Sequence, residues 1–400
     1  MKGKRALFLA AVLIGMTAVP NSDLRPFTSV QIVSASSGVN VAVHTPEQIA
    51  AYYRNHPFSL SKKDEYVSEP SLESPYSAGK LTDESVQNGL NALNFVRYTA
   101  GLDEVKISED YCALTQVASL VNAMNGGISH FPERPSGLTD ELYDTGCQGA
   151  GSSNLADGYS NVASSIIEGY MSDNYSSLIP IMGHRRWCLN PSMQYTGFGE
   201  VGRYGAMYAF DNFSGKTDVS GVCWPAQNMP VKLCHDDYIW TYSRGKEVNG
   251  GSVKVKLTRK SDSKTWNLYS GSSEGDFYVN NDGYGRKGCI IFRPRNVSYS
   301  AGDVFDVNIT GADTEINYTV TFFDMNNVQS EPEEPVKSEP EETVNGDIDG
   351  NGSVSTCDLI MIRKYIIGSD RSVSASAADI NGDGSVDMKD FLAVKEILMQ

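Results

Sequence analysis

DIDGNGSVSTCD (347–358) and DINGDGSVDMKD (379–390) are one phrase written twice, 32 residues apart. In each copy oxygen-bearing side chains fall at loop positions 1, 3 and 5: Asp347, Asp349 and Asn351, then Asp379, Asn381 and Asp383. A hard cation such as calcium takes six to eight oxygens, and a twelve-residue loop supplies them from alternating positions. Position 6 is Gly352 or Gly384, where the chain turns sharply. Ser353 and Ser385 offer backbone carbonyls at position 7, and Asp358 and Asp390 close the sets. A polar Asp/Gly turn accounts poorly for one such loop and hardly at all for two in register. The expected load is two calcium ions.

Both loops fit the EF-hand pattern except that position 12 is Asp rather than Glu. After each loop comes an apolar stripe at helical spacing: Leu359, Ile362, Ile366, then Phe391, Val394, Leu398. No amphipathic helix precedes the first loop. A duplicated loop and exiting helix at a C-terminus resembles a type I dockerin, over Asn345 to Gln400. The resemblance implies calcium-dependent docking onto a cohesin module of a cellulosome scaffold. In that family the cohesin is read at loop positions 10 and 11 and along the helices; those loop positions are Thr356 and Cys357 here, then Met388 and Lys389. The two pairs differ, so the two-way binding of symmetric dockerins is not expected.

Working outward, residues 330–345 read SEPEEPVK followed by SEPEETVN, whose prolines and like charges keep a spacer extended, and the linker is expected over 327–344. The net charge of −16 over 400 residues argues against nucleic acid or an anionic membrane as partner. Lys2, Lys4 and Arg5 precede an apolar run from Ala6 to Val19, which reads as a secretion leader within 1–25, cleaved near Ala18. That run is too short to span a bilayer, and no later stretch is apolar enough; an extracellular, cellulosomal address is expected. Seven cysteines in a secreted chain permit disulfides and leave at least one thiol over, with Cys357 the first choice for it. Cys223 and Cys234 are near enough in sequence to staple a loop.

Residues 26–81 are rich in Ser and Pro and read as an irregular lead-in. A helix is predicted from Thr82, a capping residue, with Asp83 and Glu84 in its first turn and Val86, Leu90, Leu93 and the stem of Arg97 on one face. A second is predicted over Glu109–Met124, with Leu114, Val117, Ala118 and Val121 inward. From 216 to 326 the texture changes to alternation, as in GSVKVKLTRK (251–260) and VFDVNITG (304–311), which predicts an antiparallel β module.

The chain has five histidines, and two lie in suggestive settings: His130 in MNGGISH and His184 in GHRRWCLNP. Two imidazoles with carboxylates can hold zinc or do acid–base work. The ordered run LNALNFVRYTAGL (90–102), MNGGISH, GSSNLADG (151–158), IIEGYMSD (166–173), GHRRWCLNP (183–191) and TGFGEV (196–201) resembles an SCP-like domain of the CAP superfamily over 82–215. That resemblance implies an α-β-α sandwich with a cleft lined by two His and two acids. His130 and His184 match the histidines. Ser153-Asn154 stands where the family has Glu-Asn, and Asp173 is the counterpart of the second acid, with Glu168 on a different helix face. Asn174 to Met182 looks like an insertion.

Two weaker readings accompany these. Cys188 shares a helix face with His184, where a buried or disulfide-bonded cysteine is preferred over a Cys–His nucleophile. Trp187, Trp224, Trp240 and Trp266 are either core or a carbohydrate platform. The expected fold is therefore α+β: an α-β-α sandwich, an antiparallel β module and a small α-helical calcium-binding dockerin (345–400). The expected function is cohesin docking of a domain with a His-lined ligand- or metal-binding cleft. The alternative is a hydrolase acting on polysaccharide or peptide through His130, Asp173 and His184.

Overall fold

The computed structural model describes residues 37–211, 219–328, 346–348, 354–367 and 378–399. The expected leader, the linker from 329 onward, and Asp349, Asn351 and Ser353 lie outside the described residues. The chain divides into two compact units, one within residues 1–329 and one within 330–400. No helix among the described residues is long and apolar enough to cross a membrane.

The lead-in is not irregular throughout. Helix α1 spans Pro46–Asn55, capped by a reciprocal pair in which Thr45 Oγ1 accepts from the Gln48 N–H and the Gln48 side chain accepts from the Thr45 N–H. Pro46 at its first position costs nothing, since that N–H has no helical partner. Ile49, Ala50 and Tyr52 bury its inner face. Strands β1 (Tyr66–Ser68) and β2 (Lys80–Leu81) pair antiparallel ahead of the next helix.

Helix α2 covers Asp83–Thr99 with Thr82 accepting from the Ser85 N–H, as its capping sequence predicts. Gly89 in its middle costs helix propensity, but a Cβ there would sit 2.5 Å from Val162 Cγ1; the glycine lets two helices touch. Short strand β3 (Lys106–Ile107) leads into α3 (Glu109–Asn125), capped by Ser108 and stopped by Gly126 in the left-handed region. Helix α4 (Asp140–Gly151) crosses α3 so closely that a Cβ at Gly149 would lie 2.1 Å from the Leu114 carbonyl. Strand β4 (Ser153–Asp157) follows, then α5 (Val162–Ser164), which continues as a wider π-helical turn over Ser165–Tyr170. Helix α6 is Gly183–Cys188.

Strand β5 (Tyr195–Thr196) pairs parallel with β3, while β6 (Phe198–Val201) and β7 (Tyr204–Tyr208) form a hairpin. β4 joins the hairpin in the order β4-β7-β6, all antiparallel. Neighbouring residues on these strands enter different cores. Leu155 and Ala206 cluster with Ala118 and Ala150 of α3 and α4, whereas Ala156 and Met207 cluster with residues of α2 and α5. Helices therefore cover both faces of this small sheet.

Residues 220–326 form two sheets. One has the order β13-β14-β10-β8, with β8 Val222–Trp224, β10 Trp240–Ser243, β13 Gly275–Asn280 and β14 Cys289–Pro294. The other runs β12-β11-β15-β16-β9, with β9 Asn228–Pro230, β11 Lys254–Arg259, β12 Thr265–Leu268, β15 Val304–Thr310 and β16 Ile316–Phe323. Every pair is antiparallel except β16 with β9, which is parallel. The sheets face each other through Trp240 and Phe292 on one side and Phe305 and Phe322 on the other, with ring centroids 5.8 Å apart for Trp240–Phe305. Trp224, Trp240 and Trp266 are buried in this core, which agrees with the core reading of these three rather than with a carbohydrate platform. One apolar core runs from Ile49 to Phe323 without a break at residue 215.

All seven cysteines are unpaired, so Cys223 and Cys234 do not staple a loop. In the second unit α7 (Thr356–Ile366) and α8 (Met388–Ile397) close over Ile348, Ile362, Ala378 and Val394. Leu359, Ile366, Phe391 and Leu398 of the expected stripes pack against that core.

Candidate functional site

In the C-terminal unit the position-12 acids do more than close a ligand set. Asp358 and Asp390 are completely buried. Asp358 Oδ1 accepts from the Ile348 N–H at 2.7 Å and its Oδ2 from the Ser355 N–H at 2.8 Å; Asp390 repeats this with Ile380 at 2.9 Å and Asp387 at 2.8 Å. Each acid thus ties the start of its loop to the first turn of its exiting helix. Ser355 and Asp387, at loop position 9, cap those helices in reciprocal boxes. The sequence reading passed over both, although S-x-x-D and D-x-x-D were there to see.

The second loop is wound on its own carboxylates. Asp379 accepts from the Asp383 and Gly384 N–H groups, Asn381 from Asp383, and Asp383 from Ser385. Gly384 takes φ of +84°, the turn that its position requires. Lys389 reaches Asp383 at 3.1 Å, which holds that carboxyl below its usual range. Thr356, Cys357, Met388 and Lys389 are all exposed. Exposed apolar residues also recur at the 32-residue offset: Ile360 with Leu392, and Ile367 with Met399.

The two halves repeat one arrangement, a buried acid that ties its loop to the exiting helix. Residues 345–399 match the family described as Dockerin type I domain, so the C-terminal unit is a type I dockerin. Type I dockerins bind calcium, and the domain implies a cohesin partner and cellulosome-type docking, typically outside the cell. No curated protein and no solved structure matches the chain.

In the first unit the segment Ala150–Asn154 links the two histidines. His130 is exposed and its Nδ1 donates to the Ala150 carbonyl at 2.8 Å. Asn154 Nδ2 donates to the His184 carbonyl at 3.0 Å. Four residues of chain separate these anchors, which bounds their spacing at about 14 Å. His184 Nδ1 lies 2.9 Å from Asp173 Oδ1, and the His184 N–H donates to Asp173 Oδ2 at 3.1 Å. An ionised carboxylate only accepts, so Nδ1 carries the hydrogen of this bond, and Nε2 is the ring nitrogen that the bond leaves unused. Tyr170 packs beside the His184 ring and donates to the Asn154 carbonyl.

Ser153 is buried with its hydroxyl on the Gly149 carbonyl, so nothing acidic stands there. Glu168 points elsewhere, into a cavity lined by Tyr53, Phe58 and Tyr238. Cys188 is fully buried beside Asn154, and burial pushes its thiol up, which is the reverse of what a nucleophile needs. Among the described residues no group of three or more His, Cys, Asp or Glu is placed to hold a metal, so the donors expected for zinc do not form a ligand set.

The arginines of this region carry structure. Arg97 is wholly buried and donates to the carbonyls of Asp103, Cys188, Asn190 and Met193, with burial lowering its pKa to about 10. Arg185 donates to Met171, Ser172 and Ile239, and Arg186 to Ile181, Asn280, Asp282 and Arg286. GHRRWC therefore pins helix α6 to the β-sandwich.

One pair escaped the sequence reading altogether. Asp64 and Glu200 line one cavity, and burial together with their mutual repulsion lifts Glu200 to about 8; burial lifts Asp64 to about 6. They are 136 positions apart, and although Glu200 lies in the quoted run TGFGEV, nothing in that run pairs it with Asp64.

Proposed function

We propose that this is a secreted cellulosomal component whose dockerin carries a ligand-binding cargo unit. Calcium organises the two loops, and Thr356, Cys357, Met388 and Lys389, with Ile360, Leu392, Ile367 and Met399, form the surface that a cohesin reads. The unlike pairs Thr356/Met388 and Cys357/Lys389 give the two halves different faces, which favours one binding orientation. The test is calcium-dependent capture of the full chain on a panel of purified cohesins. Met388→Ala and Lys389→Ala should weaken it more than Thr356→Ala and Cys357→Ala. Equal loss from both sets overturns the single orientation.

The cargo unit we read as an SCP-like domain of the CAP superfamily, built on residues 82–215 and buttressed by the β module. Its cleft runs along Ala150–Asn154 between His130 and His184, and binding rather than turnover is its task. The observation that carries this is the Asp173–His184 pair, which fixes an imidazole with Nε2 available and supplies no second acid. In a screen of glycan and peptide fragments, the side-chain NMR signals of His130 and His184 should shift together with one ligand. A ligand that moves only one of them, or turnover abolished by His184→Ala, sinks the reading; the latter outcome supports the hydrolase.

A further inference from the structure

A second cavity lies apart from the histidines. Its walls are the segment 63–70, the turn 158–160 and the hairpin end 200–203, and it encloses about 580 Å³. Glu200 is its distinctive member. The backbone of Glu200 is locked on three sides: Gln116 both donates to its carbonyl and accepts from its N–H, and the Tyr66 hydroxyl donates to the same carbonyl. The side chain is held by nothing. At 6% exposure its carboxylate has no hydrogen-bond or ion-pair partner among the described residues, and it opens into the cavity. A buried, unpaired carboxylate is costly, so its retention at a locked position needs a reason.

The surroundings narrow what can answer it. Asp64 stands on the same cavity, one oxygen occupied by the Val162 N–H at 2.8 Å. The other ionisable groups on the walls are Lys63, Tyr66, Glu69, Tyr159 and Arg203. Lys63 and Arg203 are exposed at the rim, and Arg203 is already paired with Asp157. Among the described residues no cation therefore neutralises Glu200. A divalent ion is disfavoured, because Glu69, although on the same walls, does not converge with these two into a metal-holding group among the described residues. An ammonium needs only two or three acceptors, which Glu200 and Asp64 supply. Tyr66, Tyr159 and Pro70 add flat apolar faces, and Ser160 with Lys63 adds groups for hydroxyls.

We propose that this cavity binds an amino sugar, setting its primary ammonium between the carboxylates of Glu200 and Asp64 and its ring against the tyrosines. The acidic form of Glu200 that prevails near neutrality then gives up its proton as the ligand enters.

The test uses the full chain, with glucosamine as probe and N-acetylglucosamine, its uncharged amide, as the matched control. Calorimetry at pH 6.5 in buffers of different ionisation enthalpy should show glucosamine binding with release of about one proton, and N-acetylglucosamine at least tenfold weaker. Between pH 6 and 7 the apparent affinity should rise about tenfold, following the ionised fraction of Glu200. Glu200→Gln, a near-isosteric change that removes the charge, should abolish proton release and weaken glucosamine at least tenfold; Asp64→Asn should weaken it less. Melting curves of both variants confirm folding, and the comparison of the two sugars on the parent needs no variant. Equal affinity for the two sugars, no binding of either, or glucosamine binding without proton uptake or release overturns the proposal.

Discussion

Asp173 holds His184 twice, by its ring and by its backbone. Helix α6 starts at Gly183 after Met182, whose side chain cannot cap it, so an acid eleven positions upstream supplies the missing acceptor. Asp173 itself sits at φ of +48°, a conformation that Asn tolerates better than Ala. Asp173→Ala should therefore cost about 2–3 kcal/mol and Asp173→Asn about 1 kcal/mol. Urea unfolding followed by tryptophan fluorescence reads this directly, since all four tryptophans lie in the first unit. Equal costs would show that the backbone strain and the ring contact do not matter.

Arg97 offers a sharper contrast. Its fork spans four carbonyls that an ammonium cannot reach together. Arg97→Lys should lose about 3 kcal/mol despite keeping the charge. The same urea curves measure it, and a loss below about 1 kcal/mol would mean the carbonyls find other donors.

Stability should depend on pH through Glu200. Its folded pKa near 8 is above the ordinary 4.5, so the folded state holds the proton more tightly. The contribution is fully present below pH 4.5 and is lost as pH rises through 8, on the order of a few kcal/mol at most. Asp64 adds the same sign between its ordinary 3.8 and about 6. The melting temperature of the first unit should fall from pH 5 to 8.5, and Glu200→Gln should flatten that slope. An unchanged slope in the variant would place the titration elsewhere.

Calcium should drive the dockerin to its helical form, because its loops gather carboxylates that repel without a cation. A peptide of residues 345–400 should gain helix by circular dichroism on adding calcium and lose it to a chelator. Asp390→Ala removes both the closing ligand and the tie to Ile380, and should lower calcium affinity at least tenfold. A fully helical calcium-free peptide would contradict the coupling.

Thiol reactivity should sort by burial. Cys357 is exposed, whereas Cys188, Cys223 and Cys289 are buried, and burial pushes Cys223 up to about 12. An aromatic disulfide reagent should modify Cys357 first, and Cys357→Ser should remove that fastest phase. Persistence of the phase would point to Cys112, Cys147 or Cys234, which are half-buried.

What the sequence made legible was periodic or capped. Thr82, the apolar stripe of 109–124 and the alternation of 254–259 and 304–310 each announce an element within a few residues of its true bounds. Helix α1 was equally announced by Thr45-Pro46-Glu47-Gln48, but its Ser/Pro-rich surroundings masked it. The dockerin loops repeat, and repetition is visible in one dimension. The Asp64–Glu200 pair and the bonds of Arg97 are not, because each joins segments that only the folded chain brings together. The zinc expectation lacks support for a similar reason: residue types suited the metal, but among the described residues no three of them come together as a ligand set.

Arg185 and Arg186 impose a waiting time on synthesis. Their acceptors at Ile239, Asn280 and Arg286 leave the ribosome 54, 94 and 100 residues later. At about 5–20 residues per second, Arg185 waits about 3–11 s for its last acceptor and Arg186 about 5–20 s. The helical half must therefore stay open, or close on water, until the strands arrive. A nascent chain that stalls before residue 286 carries its own marker of incompleteness, an exposed GHRRWC segment that a chaperone or protease can read.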